Sequence, residues 1–287
     1  MVLAIGIDLG GTKIRGVLVD EKGRVIKSYE RPTQAHEPRK KIIKNILEVV
    51  SYLRTSKVKG VGMASPGFAL PNGCMSCMPN IKKLEGFNLK KELEKKTRLK
   101  VYLENDANCF ALAEHMRGAA KGCRHSIGVI MGTGIGTGII IDNKIYRGAL
   151  GGAGEAGHTK LVIGNEIKEV EELISGPSIV KRYDQLSNRK AYSPRIILDK
   201  KDKYARQVYD ETAFYTGLFF ANLINIFNPE AVVVGGGVSN LPFYADVRRV
   251  IKKYAHPFMA KSCKISKHLL GDDAGAIGAA ELVLSSR

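Results

Sequence analysis

Ala4-Ile5-Gly6-Ile7-Asp8-Leu9-Gly10-Gly11-Thr12-Lys13-Ile14-Arg15-Gly16-Val17-Leu18-Val19-Asp20 carries the strongest structural signal in the chain. Residues 2–9 are a nearly continuous apolar run with one carboxylate, Asp8, close to its end. A run of that length is a strand covered on both faces. Gly10-Gly11 supplies a tight turn, and residues 14–20 form a second strand that returns beside the first. Glu21-Lys22-Gly23 then turns the chain into a third strand, Arg24 to Tyr29, giving a meander. Apolar residues recur at helical spacing from about Pro38 to Arg54. A strand from Val58 to Ala64 ends at Ser65-Pro66-Gly67; a helix near 88–98, a strand Lys100 to Leu103 and a helix from about Asp106 follow.

The same order starts again at residue 126. Ser126 to Met131 reads as a strand that runs into Gly132-Thr133-Gly134-Ile135-Gly136-Thr137-Gly138 and a hairpin turning at Asp142-Asn143. A long helix, about 203–227, precedes the strand Ala231 to Val234, the turn Gly235-Gly236-Gly237, a helix, a strand near 263–266 and a last helix near 274–285. An internal repeat of strand, glycine turn and hairpin predicts two similar α/β lobes with a ligand cleft between them.

Composition narrows the function classes. Glycine, at 31 of 287 residues, exceeds the usual ~7%, and much of the excess sits in these turns. The net charge is +17, but Lys90-Lys91, Lys95-Lys96, Arg248-Arg249 and Lys252-Lys253 lie on separate predicted helices with no basic arm or tail. Scattered charge of this kind reads as solvated helix faces rather than a nucleic-acid footprint. The five cysteines are odd in number and lack a disulfide spacing, and Cys74-x-x-Cys77 has no second pair, so it reads as a loop. No basic segment precedes the first apolar run, and the longest apolar stretch, Val129 to Ile141, is short and broken by Gly and Thr. The expectation is a cytoplasmic protein that neither enters a membrane nor binds nucleic acid.

Glycine turns expose backbone N–H groups that bind anions. Asp8-Leu9-Gly10-Gly11-Thr12-Lys13 adds a hydroxyl, an ammonium and a strand-end carboxylate suited to Mg²⁺ held through water. Neither glycine loop is a Walker A motif. The 132–138 loop also fails the dinucleotide pattern: Thr137 stands where the third glycine belongs, and a strand follows where a helix should open.

Asp8-Leu9-Gly10-Gly11-Thr12-Lys13, Ser65-Pro66-Gly67, Pro79-Asn80, Glu104-Asn105-Asp106-Ala107-Asn108, Gly132-Thr133-Gly134-Ile135-Gly136, Gly154-Glu155-Ala156-Gly157-His158, Gly235-Gly236-Gly237 and Gly271-Asp272-Asp273-Ala274-Gly275-Ala276-Ile277-Gly278-Ala279-Ala280 occur in one order along the chain. In this the sequence resembles the ROK family, which contains glucokinases, fructokinases, N-acetylhexosamine kinases and transcriptional repressors. The resemblance implies an α/β, two-lobed actin-like ATPase (ribonuclease H-like) fold with an interlobe cleft. Residues 1–115, completed by the C-terminal helix 272–287, would form the small lobe, and residues 116–271 the large one.

It also implies an ATP- and Mg²⁺-dependent kinase acting on the C6 hydroxyl of a hexose or N-acetylhexosamine, with glucose and N-acetylmannosamine the nearest candidates, and a homodimer. Asp106 corresponds to the family's catalytic base; by itself it reads equally well as a helix cap. Ser65, Gly67, Asn80, Asn105, Asp106, Glu155, His158 and Glu171 are implied sugar contacts, with Glu172 the rival of Glu171. Gly10, Gly11, Thr12, Lys13, Gly132, Thr133, Gly134, Gly235, Gly236 and Gly237 are implied nucleotide contacts, and Asp8 would hold Mg²⁺ through water.

One departure stands out. Many family kinases carry a cysteine-rich zinc loop after the Gly-His pair, with that histidine as fourth ligand. Here the segment from Thr159 to Glu169 is short and contains no Cys, so no structural zinc is expected and support of the sugar site falls to packing. Two other functions compete. A repressor of this family needs a helix-turn-helix, and the first strand already begins at Val2. A silent sugar sensor would not need the set Asp8, Asp106 and Thr133.

Overall fold

Leucine and isoleucine alternate with Ala4, Gly6 and Asp8 along the first strand, both of whose faces are covered. The computed structural model describes residues 2–70, 72–200 and 202–286. The chain divides into two compact units: Met1–Lys121 with Ile145–Ala153 and Leu270–Arg287, and Gly122–Lys144 with Gly154–Leu269.

The first unit contains β1 (Leu3–Leu9), β2 (Lys13–Asp20), β3 (Val25–Pro32), α1 (Arg39–Leu53), β4 (Val58–Ser65), the short pair β5 (Phe68–Ala69) and β6 (Met75–Ser76), α2 (Leu89–Thr97), β7 (Lys100–Asn105) and α3 (Asp106–Arg117). Its sheet runs β3-β2-β1-β4-β7. The pairs β1–β2 and β2–β3 are antiparallel, whereas β1–β4 and β4–β7 are parallel. On one face Leu3, Ile5, Ile7 and Leu9 pack with Ile42, Ile46, Val49 and Leu53 of α1. On the other, Ala4, Val17 and Val19 meet Ala276, Ala280 and Val283 of the C-terminal helix Ala274–Leu284.

That second face is built for close approach. A Cβ on Gly6 would strike the carbonyl oxygen of Ala276, and one on Gly62 the carbonyl of Ala279. Small residues on both partners let the helix backbone settle directly onto the strands, which brings its first turn to the end of β1.

The second unit repeats the plan with β8 (Ser126–Met131), β9 (Ile135–Ile141), β10 (Lys144–Ile145), β11 (Lys160–Ile163), β12 (Glu166–Glu169), α4 (Val170–Ile174), α5 (Gly176–Ser187), α6 (Pro194–Asp199), α7 (Lys203–Phe227), β13 (Ala231–Gly235), α8 (Tyr244–Tyr254), α9 (Pro257–Ser262) and β14 (Lys264–Lys267). The C-terminal helix of the first unit is α10. The second sheet runs β10-β9-β8-β13-β14, with β8–β9 antiparallel and β8–β13 and β13–β14 parallel. Ile127, Val129, Val232 and Val234 form its core with Phe219, Phe220, Ile224 and Tyr183. The Asp202 side chain caps α7, accepting from Ala205 N–H at 2.7 Å and from the Tyr183 hydroxyl at 2.7 Å.

Each sheet thus places its first strand third in the order, between an antiparallel hairpin and two parallel strands. Both repeats expected from the sequence are present, and the mixed α/β architecture is that of the two-lobed actin-like ATPases. Among the described residues no helix is long and apolar enough to cross a membrane.

Replacing Gly62 by Ala should cost about 3 kcal/mol, because the colliding atom is main-chain carbonyl and cannot rotate away. Urea unfolding checks this; a loss below about 0.5 kcal/mol, the range of an ordinary surface change, would mean that α10 lies further from the sheet.

Candidate functional site

Parallel strands leave their carboxyl ends on one edge of a sheet, and the turns that follow are where ligands bind in open α/β sheets. In the first unit the register pairs Asp8 of β1 with Ala64 of β4, and Ser65 of β4 with Asn105 of β7. Three neighbouring strand ends therefore carry Asp8, Ser65 and Asn105. The Gly10–Lys13 turn is closed by Gly10 N–H donating to the Lys13 carbonyl at 3.0 Å, and the Thr33 hydroxyl donates to the Gly10 carbonyl at 2.6 Å. Thr12 is exposed; Lys13 is exposed too, with its ammonium 3.0 Å from Glu30 on β3. Asn80 sits against this turn, since a Cβ on Gly11 would lie 3.0 Å from the Asn80 Cβ.

Asn105 caps α3 with its side-chain oxygen, which accepts from Ala107 N–H at 2.9 Å and Asn108 N–H at 3.2 Å. Its amide donates to the Gly67 carbonyl at 3.1 Å, tying the turn after β4 to the start of α3. Asp106 is the first residue of α3, and its Oδ1 accepts from Ala107 N–H at 2.8 Å. The cap is Asn105, so the carboxylate of Asp106 is not consumed in that role. Ser65 is buried, and its hydroxyl donates to the Pro66 carbonyl at 3.3 Å.

Burial, and then the negative charge of Asp106, push the Asp8 carboxyl up to about 6; the nearby Lys13 pulls the other way. The carboxylate also lies on the first turn of α10, where a Cβ on Gly275 would be 2.7 Å from Asp8 Oδ2. A divalent cation would remove the cost of two like charges at this edge, so the pair fits magnesium. Among the described residues no group of three or more His, Cys, Asp or Glu is placed so as to hold a metal ion by itself. The protein's share of the coordination would then be one carboxylate acting with water and phosphate oxygens, the arrangement magnesium favours.

Two residues of this edge had no role in the sequence argument. Glu104 is buried; its Oε1 accepts from Asn105 N–H at 3.0 Å and from the Asn108 side chain at 2.9 Å. Its Oε2 accepts from Arg147 Nε at 2.6 Å. Arg147 belongs to the 145–153 segment, whose Gly152 lies over Phe68 of β5. An acidic residue next to Asn105-Asp106 was visible in the sequence, but its partner stands 43 residues away and no local pattern points to it.

The second unit brings its own candidates together. Gly132 N–H donates to the Gly134 carbonyl at 2.9 Å, leaving Thr133 exposed at the tip of the turn. Gly236 has φ +80, and a Cβ there would strike the Met131 carbonyl, so the Gly235–Gly237 turn rests on the end of β8 beside the 132–134 turn. Glu171 Oε2 accepts from Ile135 N–H at 2.8 Å and lies against Gly134. Glu172 points elsewhere: its Oε2 accepts from Glu169 N–H at 2.9 Å and caps α4.

Glu155 and His158 flank a single helical turn, and His158 Nε2 is 3.7 Å from Glu155 Oε2. His158 Nδ1 is 2.9 Å from Glu169 Oε2, and the other oxygen of Glu169 pairs with Lys160. Glu169 foremost, then Glu155 and Glu171, hold the imidazole above its ordinary range against the opposing effect of burial. The expectation that only packing supports this part of the site is therefore wrong. Within the short, Cys-free segment from Thr159 to Glu169, residues 160–169 form the β11–β12 hairpin, which turns at Gly164-Asn165 and delivers a carboxylate to the histidine. Gly164-Asn165 after Leu161-Val162-Ile163 and before Glu166-Ile167 is a two-residue turn signal that was available in the sequence.

A model of the ROK family matches residues 4–286. A glucokinase of Halalkalibacterium halodurans is 30% identical over 311 residues, covering 97% of this chain and 94% of that protein. The crystal structure of a ROK hexokinase from Thermus thermophilus superposes with a TM-score of 0.86 at 29% identity, covering 97% of both chains. That of a ROK family glucokinase from Streptomyces griseus in complex with glucose and AMPPNP has a TM-score of 0.78 at 29% identity over 98% of both chains. With strand order, glycine turns and an almost full-length family match in agreement, this chain belongs to the ROK family.

Proposed function

We propose that this protein is an ATP-dependent sugar kinase that phosphorylates the C6 hydroxyl of a hexose or N-acetylhexosamine, with glucose and N-acetylmannosamine as the foremost substrates. The observation that carries the proposal is the adjacency of Asp8, Ser65 and Asn105-Asp106 on three neighbouring strand ends, where one carboxylate suits a cation and another suits a proton. Membership of a family with glucokinases about 30% identical supports it.

Phosphoryl transfer asks the protein mainly for positioning and charge stabilisation, with a base for the acceptor proton. Asp106 takes the proton of the attacking hydroxyl. Asn105 and Glu104 keep that carboxylate in place, because they fix the backbone on both sides of it. Ser65, Gly67, Asn80, Asn105, Asp106, Glu155, His158 and Glu171 are the proposed sugar contacts. The turns Gly10–Lys13, Gly132–Gly134 and Gly235–Gly237 are the proposed nucleotide contacts, offering N–H groups and the hydroxyls of Thr12 and Thr133. Magnesium bound with the nucleotide supplies neutralising charge at the phosphates, and Asp8 would hold it through water. A homodimer and a cytoplasmic location complete the proposal, and sedimentation at micromolar concentration tests the first.

A coupled ADP-release assay across glucose, mannose, fructose, N-acetylglucosamine and N-acetylmannosamine decides the substrate. Sugar binding without ADP release in any case would favour the sensor or regulator function instead. Asp106→Asn should keep the KM for sugar within a few fold and lose on the order of 10²–10⁴ in kcat; near-normal turnover would remove Asp106 from the role of base.

Asp8 links this function to stability. The folded chain keeps the Asp8 proton up to about pH 6, whereas an unperturbed carboxyl gives it up at 3.8. The folded state therefore binds the extra proton between those values, so stability falls as pH rises through that window and stays lower above it. Asp8→Asn should be more stable than wild type by about 3 kcal/mol near neutral pH, with most of the gain lost as pH falls to about 4, while ATP-dependent turnover collapses. Denaturant unfolding at the two pH values checks this, and an Asp8→Asn chain less stable at neutral pH would contradict it.

A further inference from the structure

In the second unit one short stretch, Glu169 to Glu172, is bonded on three sides. Glu169 N–H is held by Glu172, the Glu169 side chain bridges His158 and Lys160, and Glu171 holds the turn at Gly134-Ile135. Lys160 and Glu169 are direct cross-strand partners in the hairpin, and Val170 N–H donates to the Thr159 carbonyl at 2.9 Å. Leu161 packs the hairpin on the core, whereas the cross-strand partners Val162 and Ile167 are 73% and 71% exposed. At Glu169 itself the contacts are polar, and its carboxylate is aimed at one ring nitrogen of a mostly exposed histidine.

We propose that Glu169 is a positioning residue for sugar binding: it holds His158 with Nδ1–H directed into its carboxylate and so presents Nε2, beside Glu155, to a sugar hydroxyl. This rests on the kinase function proposed above. The ring nitrogen that faces the ligand is set by the bond the other nitrogen makes, so a fixed Nδ1–H makes Nε2 the acceptor in the neutral ring and a donor in the cation. The charged groups facing the imidazole are Glu155 on its own turn, Glu169 on β12 and Glu171 on α4, with Lys160 on β11 reaching it through Glu169. Three carboxylates outweigh one ammonium that is already paired, in keeping with the raised proton affinity of the ring.

The test uses the full chain with three substitutions. Glu169→Gln keeps an acceptor for Nδ1–H and removes the charge; Glu169→Ala removes both; Lys160→Ala removes the hairpin's ion pair without touching the histidine. Long-range ¹H–¹⁵N spectra of the imidazoles, with His158 assigned by comparison with His158→Gln, read tautomer and titration without any substrate. Wild type should show the Nδ1–H tautomer and a raised midpoint. Glu169→Gln should keep the tautomer and lower the midpoint, whereas Glu169→Ala should lose both.

In the kinase assay Glu169→Ala should raise the KM for sugar about tenfold with kcat within about threefold, the size expected for one charge-assisted bond. Lys160→Ala should leave the sugar KM near wild type. Unchanged His158 titration and sugar KM in Glu169→Ala would overturn the proposal, as would equal KM effects from Lys160→Ala and Glu169→Ala, which would mark a merely structural hairpin. If wild type phosphorylates no sugar while the imidazole spectra behave as stated, the kinase function fails and the pairing of His158 with Glu169 stands.

Discussion

Burial of one acid beside another is the constraint at the sheet edge of the first unit. Asp8 lies one residue before the end of β1 and Asp106 opens α3, on strand ends that the register of β1, β4 and β7 keeps together. Burial and the charge of Asp106 make the ionised form of Asp8 costly in the chain alone. A fold free to minimise its own energy would place an amide or an apolar residue there. In the proposed function a cation and a polyphosphate at this edge would make the same charges favourable.

The edge survives because its backbone is over-determined. Glu104 takes two hydrogen bonds from the strand–helix junction and an ion pair from Arg147, so the Asn105-Asp106 step is held by its own neighbour and by a distant segment. Asn105 adds the cap of α3 and a bond to Gly67. Behind them, the glycine contacts of β1 and β4 with α10 bring a helix terminus to Asp8. Asn105 and Asp106 thus stand at a junction of regular structure, while the glycine turns that carry the other candidates are closed by backbone bonds of their own. The second unit follows the same logic on a smaller scale, with residues 169–172 bracing both the 132–134 turn and His158.

The hairpin at residues 160–169 shows how one local architecture can replace another. A metal cluster would tie its loop together by coordination; here a two-residue turn, a cross-strand ion pair and a carboxylate–imidazole bond do so. The consequence is chemical as well as structural. A histidine bound to a metal is locked in its neutral form, whereas the carboxylates around His158 raise its proton affinity, so the sugar contact proposed for it would depend on pH.

Most of the architecture was legible from local signals. Residues 3–9 and 126–131 announce themselves as buried strands by continuous apolar content, and Gly10-Gly11 and Gly132–Gly138 mark the turns, because a strand's period and a glycine's freedom are properties of a few adjacent residues. The repeated order of these signals was enough for the fold, and the eight motifs for the family. The partnership of Glu104 with Arg147, the separate backbone partners of Glu171 and Glu172, the proton affinity of Asp8 and the bond from Glu169 to His158 were decided only by tertiary structure. Each depends on which side chains meet across strands, and on how far water is excluded where they meet. Distance and dielectric are set when the elements pack, and no spacing along the chain encodes them.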